Sequence, residues 1–160
     1  MNQRSLARVA AALLTLALMS ITNAAAFENL RYEFTERGFS KEKRLVREYL
    51  DKLHVCGRAA ATLKIKIGKT WTFDDDFIAL VEGPCGLCNK LGCKMVFFQR
   101  GQSGRSRATL ETFGLERVRL HQPENLLHRG LCVQTKLGAE LFVKRANKYQ
   151  LVTLVPDENC

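Results

Sequence analysis

Six cysteines, at positions 56, 85, 88, 93, 132 and 160, constrain this 160-residue chain more than any other feature. What precedes them gives their even number its meaning. Arg4 and Arg8 make a positive start, Val9 to Ile21 is an apolar run broken only by Thr15 and Ser20, and Ala24–Ala26 offer a small-residue cleavage site. No acidic residue occurs before Glu28. That order is the one export signals use, and the run is too short for a good membrane span. The expectation is a signal peptide over residues 1–26 and one exported domain, periplasmic or secreted, over residues 27–160. No transmembrane segment is expected after cleavage. Oxidising compartments let disulfides persist, so all six cysteines, Cys56, Cys85, Cys88, Cys93, Cys132 and Cys160, are disulfide candidates. Six cysteines allow 15 full pairings, and sequence alone does not choose among them.

The remaining chain has the length of a single domain. Ser40 can cap a helix running to about His54, with Leu45, Val46, Tyr49, Leu50 and Leu53 as its apolar stripe. Glu48 precedes Lys52 by four residues, the favourable order for an ion pair. Beyond the helix, Leu63, Ile65 and Ile67 alternate with Lys64 and Lys66, the pattern of a half-buried strand. Phe77–Glu82 and Lys94–Gln99 are apolar runs, and Leu115–Leu120 alternates again. Leu131–Lys136 and Glu140–Arg145 suit a hairpin around Gly138, and Tyr149–Val155 closes the series. Residues 99–107, rich in Gly, Ser and Arg, are expected to form a flexible basic loop. The fold class expected is α+β: one N-terminal helix packed on a mainly antiparallel sheet, stabilised by disulfides.

The segment from Glu82 to Lys94 carries three of the cysteines between two apolar runs, so it should be a hairpin tip. In the structural reading, Cys88 and Cys93 staple that tip while Cys85 reaches Cys56, Cys132 or Cys160. In a redox reading, Cys85-Gly-Leu-Cys88 is a reactive CxxC, but Asn89 to Gly92 make a poor first helical turn and no βαβ pattern surrounds them. In a metal reading, Cys85, Cys88 and Cys93 hold zinc with Cys132 or His128. Oxidation competes with that role outside the cytosol. The structural reading agrees with both compartment and count. No cofactor is expected, and metal binding is not the expected role.

Phe77–Phe98, with its apolar strand, Cys85-Gly86, Gly92-Cys93 and second apolar strand, resembles a class of small exported bacterial proteins carrying a Cys-Gly-x-x-Gly-Cys hairpin. This chain departs from their pattern through the inserted Cys88. The resemblance implies an exported β-rich domain and no mechanism.

Catalytic machinery is not evident. His54, His121 and His128 are isolated from acidic or nucleophilic partners in sequence, and neither a nucleophile elbow nor a P-loop occurs. Asp74–Asp76 lack the spaced oxygens of a calcium loop and suit a solvated turn. Charge is the remaining lead. Two of the 25 basic residues, Arg4 and Arg8, lie in the leader and none of the 16 acidic ones does, so residues 27–160 carry +7. A basic exported domain suits anionic partners. The expected role is non-enzymatic: binding a protein or an anionic envelope polymer through a basic face of Arg100, Arg105, Arg107, Arg117 and Arg119. Export makes nucleic acid a poor candidate, and the aromatics Phe97, Phe98, Phe113, Phe142 and Tyr149 lie in strand patterns that suit a core. Two alternatives stay open. One is a thiol or metal protein acting through Cys85, Cys88 and Cys93. The other is an inhibitor of an exported hydrolase that presents Leu87, Asn89 and Lys90 as a rigid binding tip.

Overall fold

The computed structural model describes residues 31–57, 62–69, 76–101, 103–121, 130–146 and 148–155. The expected signal peptide at residues 1–26, Asp74, Asp75, His128 and Cys160 lie outside the described residues. Among those described, one helix, α1 (Ser40–Lys52), accompanies nine strands: β1 (Glu33–Thr35), β2 (Lys64–Lys69), β3 (Phe77–Glu82), β4 (Cys93–Arg100), β5 (Ser106–Gly114), β6 (Val118–His121), β7 (Gly130–Thr135), β8 (Gly138–Arg145) and β9 (Lys148–Val155). All pairings are antiparallel. The strands form two sheets, of order β1-β2-β3-β4-β5 and β6-β7-β8-β9. The helix-on-one-sheet expectation is therefore incomplete: a second sheet covers the face of the first that the helix leaves open.

Side-chain alternation shows why. Along β3, Phe77, Ala79 and Val81 join Val46 and Leu50 of α1 in one core. Ile78 and Leu80 between them join Leu131, Val133 and Phe142 of the second sheet in another. β4 divides in the same way, with Val96 and Phe98 toward the helix and Met95 and Phe97 toward the second sheet. A strand buried on both faces has no polar side to show, so Phe77–Val81 of β3 and Met95–Phe98 of β4 are unbroken apolar runs. The expected core aromatics Phe97, Phe98, Phe142 and Tyr149 are all buried, whereas Phe113 is half-buried. Phe77 stacks on Phe98, and Tyr149 meets Phe97 edge-on.

Several local expectations change. Ser40 does not cap the helix; the N-cap is Phe39, in the left-handed region and without a side-chain cap. Gly38 and Phe39 both take positive φ and turn the chain into the first helical residue. Glu48 pairs with Arg44 at 3.7 Å, its other helical neighbour, rather than with Lys52. Leu53 falls after the last turn and is 46 % exposed, so it leaves the stripe. The segment 99–107 is not one loop: Gln99 and Arg100 end β4, Ser106 and Arg107 begin β5, and only a short turn separates them. The Leu115–Leu120 strand shortens at its start to β6, because Leu115 and Arg117 bond into the turn that leaves β5.

Candidate functional site

The cysteine tip is a structural joint. Cys56 bonds Cys85 and Cys88 bonds Cys93. The first bridge ties the chain just after α1 to the β3–β4 tip, and the second closes the tip. Cys132 is disulfide-bonded as well, and none of the described cysteines is free. Cys85 and Cys88, which a redox CxxC would join, bond different partners. Cys85, Cys88 and Cys93 therefore present no thiolate here to a metal or a substrate.

The proposed binding tip also changes character. Leu87 is only 2 % exposed and belongs to the core beneath α1, so it is not a contact residue. Asn89 is spent on the turn itself, its Oδ1 accepting from the N–H groups of Leu91 at 2.8 Å and Gly92 at 3.3 Å. Gly92 takes φ +145°, and an added Cβ would lie 2.3 Å from the carbonyl oxygen of Gly114. The N–H of Lys136 donates to the Leu91 carbonyl at 2.9 Å. Held this way against β5 and the β7–β8 turn, the tip buries Leu87 and keeps Pro84, Cys85, Gly86, Cys88, Asn89 and Lys90 exposed. Close packing explains Gly83 and Gly92, whereas Gly86 has open space beside it and a φ of 73°.

The five arginines expected to share one face separate into two groups. Arg100, Arg105 and Arg107 lie where β4 turns into β5, whereas Arg117 and Arg119 follow the far end of β5. β5 spans nine residues, or roughly 25–30 Å at the usual strand rise. Each group gathers further cations that sequence reasoning did not include. At the first, Arg100 and Arg105 join Lys41 of α1 and Lys69 of β2 around a cleft of about 360 Å³. Its apolar wall comes from Leu45 and Phe77. Glu42 is its acid, held by Lys69 at 2.9 Å. Burial is the largest single influence on Glu42 and pushes its pKa up, but the Lys69 and backbone hydrogen bonds, with the Lys69 and Lys41 charges, together hold the carboxyl below its ordinary value. Lys69 also lies over the Phe39 ring, 5.0 Å from its centroid. Asp76 is the described member of the Asp74–Asp76 cluster. It accepts from Gln99 Nε2 at 3.1 Å and from the Arg100 N–H at 3.2 Å, which fixes the end of β4.

At the second group, Arg117 and Arg119 meet Arg31, a residue that sequence reasoning missed. No local signal could have found Arg31, because the strand that pairs with it lies far along the chain.

Other charges close on themselves. Lys66, only 14 % exposed, bonds Glu82 at 2.8 Å and also Glu116, so its pKa is raised chiefly by those two carboxylates. Tyr49 of α1 donates to Glu111, which Lys94 grips at 2.5 Å. Burial and then the Glu111 hydrogen bond push the Tyr49 phenol upward. Burial pushes Glu111 up too, but the bonds from Lys94 and Tyr49 overcome it and its pKa is lowered. Among the described residues no group of three His, Cys, Asp or Glu side chains could hold a metal ion. None of their helices is long and apolar enough to cross a membrane. Of the histidines, His54 is exposed just beyond α1, and only the backbone of His121 is described.

No protein-family model, curated protein or solved structure matches the chain. Geometry and charge are the grounds left for function.

Proposed function

We propose that this is an exported, non-enzymatic protein of the cell envelope that binds an anionic partner, a polymer or an acidic protein surface. The carrying observation is the cleft bounded by Lys41, Lys69, Arg100 and Arg105. Of its cations, Lys69 is committed to Glu42, while Lys41 and Arg105 make no ion pair with a described carboxylate. Leu45 and Phe77 add an apolar wall against which the backbone of a polymer or the stems of acidic side chains can pack. Fixed cations around a concave surface raise the local concentration of anions and speed their capture. The disulfides fit the oxidising setting that the leader implies, and they hold the helix against the tip so that the cleft is formed before a partner arrives.

The test is binding of polyglutamate and dextran sulfate by the protein recovered from an oxidising host, measured across salt concentrations. Affinity should fall as salt screens the cleft. The Lys41→Ala/Arg105→Ala variant should bind about tenfold or more weakly, the equivalent of losing charge contacts of roughly 1.4 kcal/mol in sum. An unchanged affinity in that variant would remove the cleft from the account.

A further inference from the structure

The second arginine group has an electrostatic problem that the first does not. Arg31 and Arg119 stand directly opposite one another on adjacent antiparallel segments. The neighbouring pair is locked by the Tyr32 N–H donating to the Val118 carbonyl at 3.0 Å, so the two arginines cannot slip out of register. Like charges directly opposite on neighbouring strands repel and destabilise the pair. Arg117 adds a third positive charge two residues from Arg119 on the same cleft. Among the described residues, local acids do not relieve it. Glu116 lines the cleft, but its carboxylate is bound to Lys66. Arg117 reaches the neutral amide oxygen of Gln134, at 3.4 Å. None of the three guanidinium groups forms an ion pair with a described carboxylate. The cleft they line measures about 360 Å³, with buried Val118 in its wall.

We propose that this cleft is a binding site for a tetrahedral dianion, a phosphoryl group either as free phosphate or at the end of a phosphomonoester. Guanidinium forks match oxyanion geometry and bind it through paired hydrogen bonds, which lysine does not do. A carboxylate fills one fork, carries one charge and leaves two arginines uncompensated. A phosphoryl group carries about −1.5 to −2 at pH 7 and offers at least three acceptor oxygens, enough for forks from more than one arginine. The ligand would occupy the space between Arg31 and Arg119 and turn their repulsion into two attractions. This site shares no residue with the cleft at α1, so either can fail without the other.

Calorimetric titration of the protein with inorganic phosphate, glycerol phosphate and acetate tests the proposal. Phosphate and glycerol phosphate should saturate at a dissociation constant of about 1 mM or below, and acetate should bind at least tenfold more weakly. Tighter binding of glycerol phosphate would name the ester as the source, and equal or tighter binding of inorganic phosphate the free ion. Glycerol phosphate affinity should also weaken as pH falls through about 6, where the ester dianion gains a proton. Arg119→Lys keeps the charge and removes the fork, and should lose about tenfold in affinity. Arg44→Ala, which removes the same charge from the exposed face of α1, should bind as the parent does. No saturable binding of either phosphate, or equal binding by Arg119→Lys in protein that melts at the parent temperature, would overturn the proposal.

Discussion

β3 and β8 are both interior strands of antiparallel sheets, yet they live in different surroundings. Five of the six residues of β3 are buried, and the sixth, Glu82, holds Lys66. β8 buries Ala139, Glu140 and Phe142 but leaves Leu141 and Val143 only half-covered. Next to it, β9 exposes Leu151, Val152 and Leu154. The first sheet is roofed by α1 and floored by the second sheet, while the second sheet is packed on one face. The difference teaches where rigidity resides. The strands that carry the ends of both arginine clefts belong to or abut the doubly covered sheet, whose geometry many contacts over-determine. β9 is the edge of the singly covered one, and apart from Tyr149, which packs on Phe97, its described side chains are exposed.

That contrast can be broken by substitution. The largest effect is expected at Val81, fully buried between α1 and the tip. Val81→Asp buries a charge with no partner and should cost more than about 4 kcal/mol, read as loss of the cooperative urea transition. Next comes the bridge from the end of α1 to the tip. Cys56→Ser/Cys85→Ser opens a loop with 29 residues' separation and should lower stability by about 3 kcal/mol, more than removal of the five-residue Cys88–Cys93 loop. Gly92→Ala sets a methyl against the backbone of Gly114 and should cost about 1–3 kcal/mol by denaturant midpoint.

A smaller effect follows from Tyr49 and Glu111, which join α1 to β5. Glu111 has a folded pKa below its ordinary 4.5, so its contribution is present above that value and disappears as pH falls through the lower folded value. Tyr49 has a folded pKa above its ordinary 10.0, so its contribution is present below pH 10.0 and is lost as pH rises beyond it. Both groups are partly exposed, which limits the sum to about 1 kcal/mol. Glu111→Gln should flatten both limbs in urea midpoints measured from pH 3 to 11. The smallest effect belongs to the other region: Leu154, 71 % exposed, should change stability by less than about 0.5 kcal/mol when replaced by Ser. A loss comparable with that of Gly92→Ala would mean that β9 is covered in solution.

Much of this architecture was legible. The stripe of α1, the alternation in β2 and the β7–β8 hairpin each announce themselves by local period. β1 did not, because three residues are too few to show a period. β5 was hidden because its first residues, Ser106 and Arg107, continue the glycine- and arginine-rich composition of the turn before it. The two-sheet arrangement left one trace, the unbroken apolar runs Phe77–Val81 in β3 and Met95–Phe98 in β4, which two-sided burial requires. Local spacing could also suggest the Cys88–Cys93 staple, but the Cys56–Cys85 bridge depends on where α1 ends relative to the tip. The arginines were the hardest. Arg107 and Arg117 look like neighbours in composition, and a nine-residue strand holds them apart. Arg31 and Arg119 look unrelated, and one antiparallel bridge makes them opposite.

The most direct measurement is residue-resolved NMR of the protein titrated with polyglutamate at low salt. The account predicts that the amides around Lys41, Arg100 and Arg105 shift first and saturate together, while those of Leu151 to Leu154 stay in place. Shifts concentrated along β9, with the cleft at α1 unmoved, would contradict it.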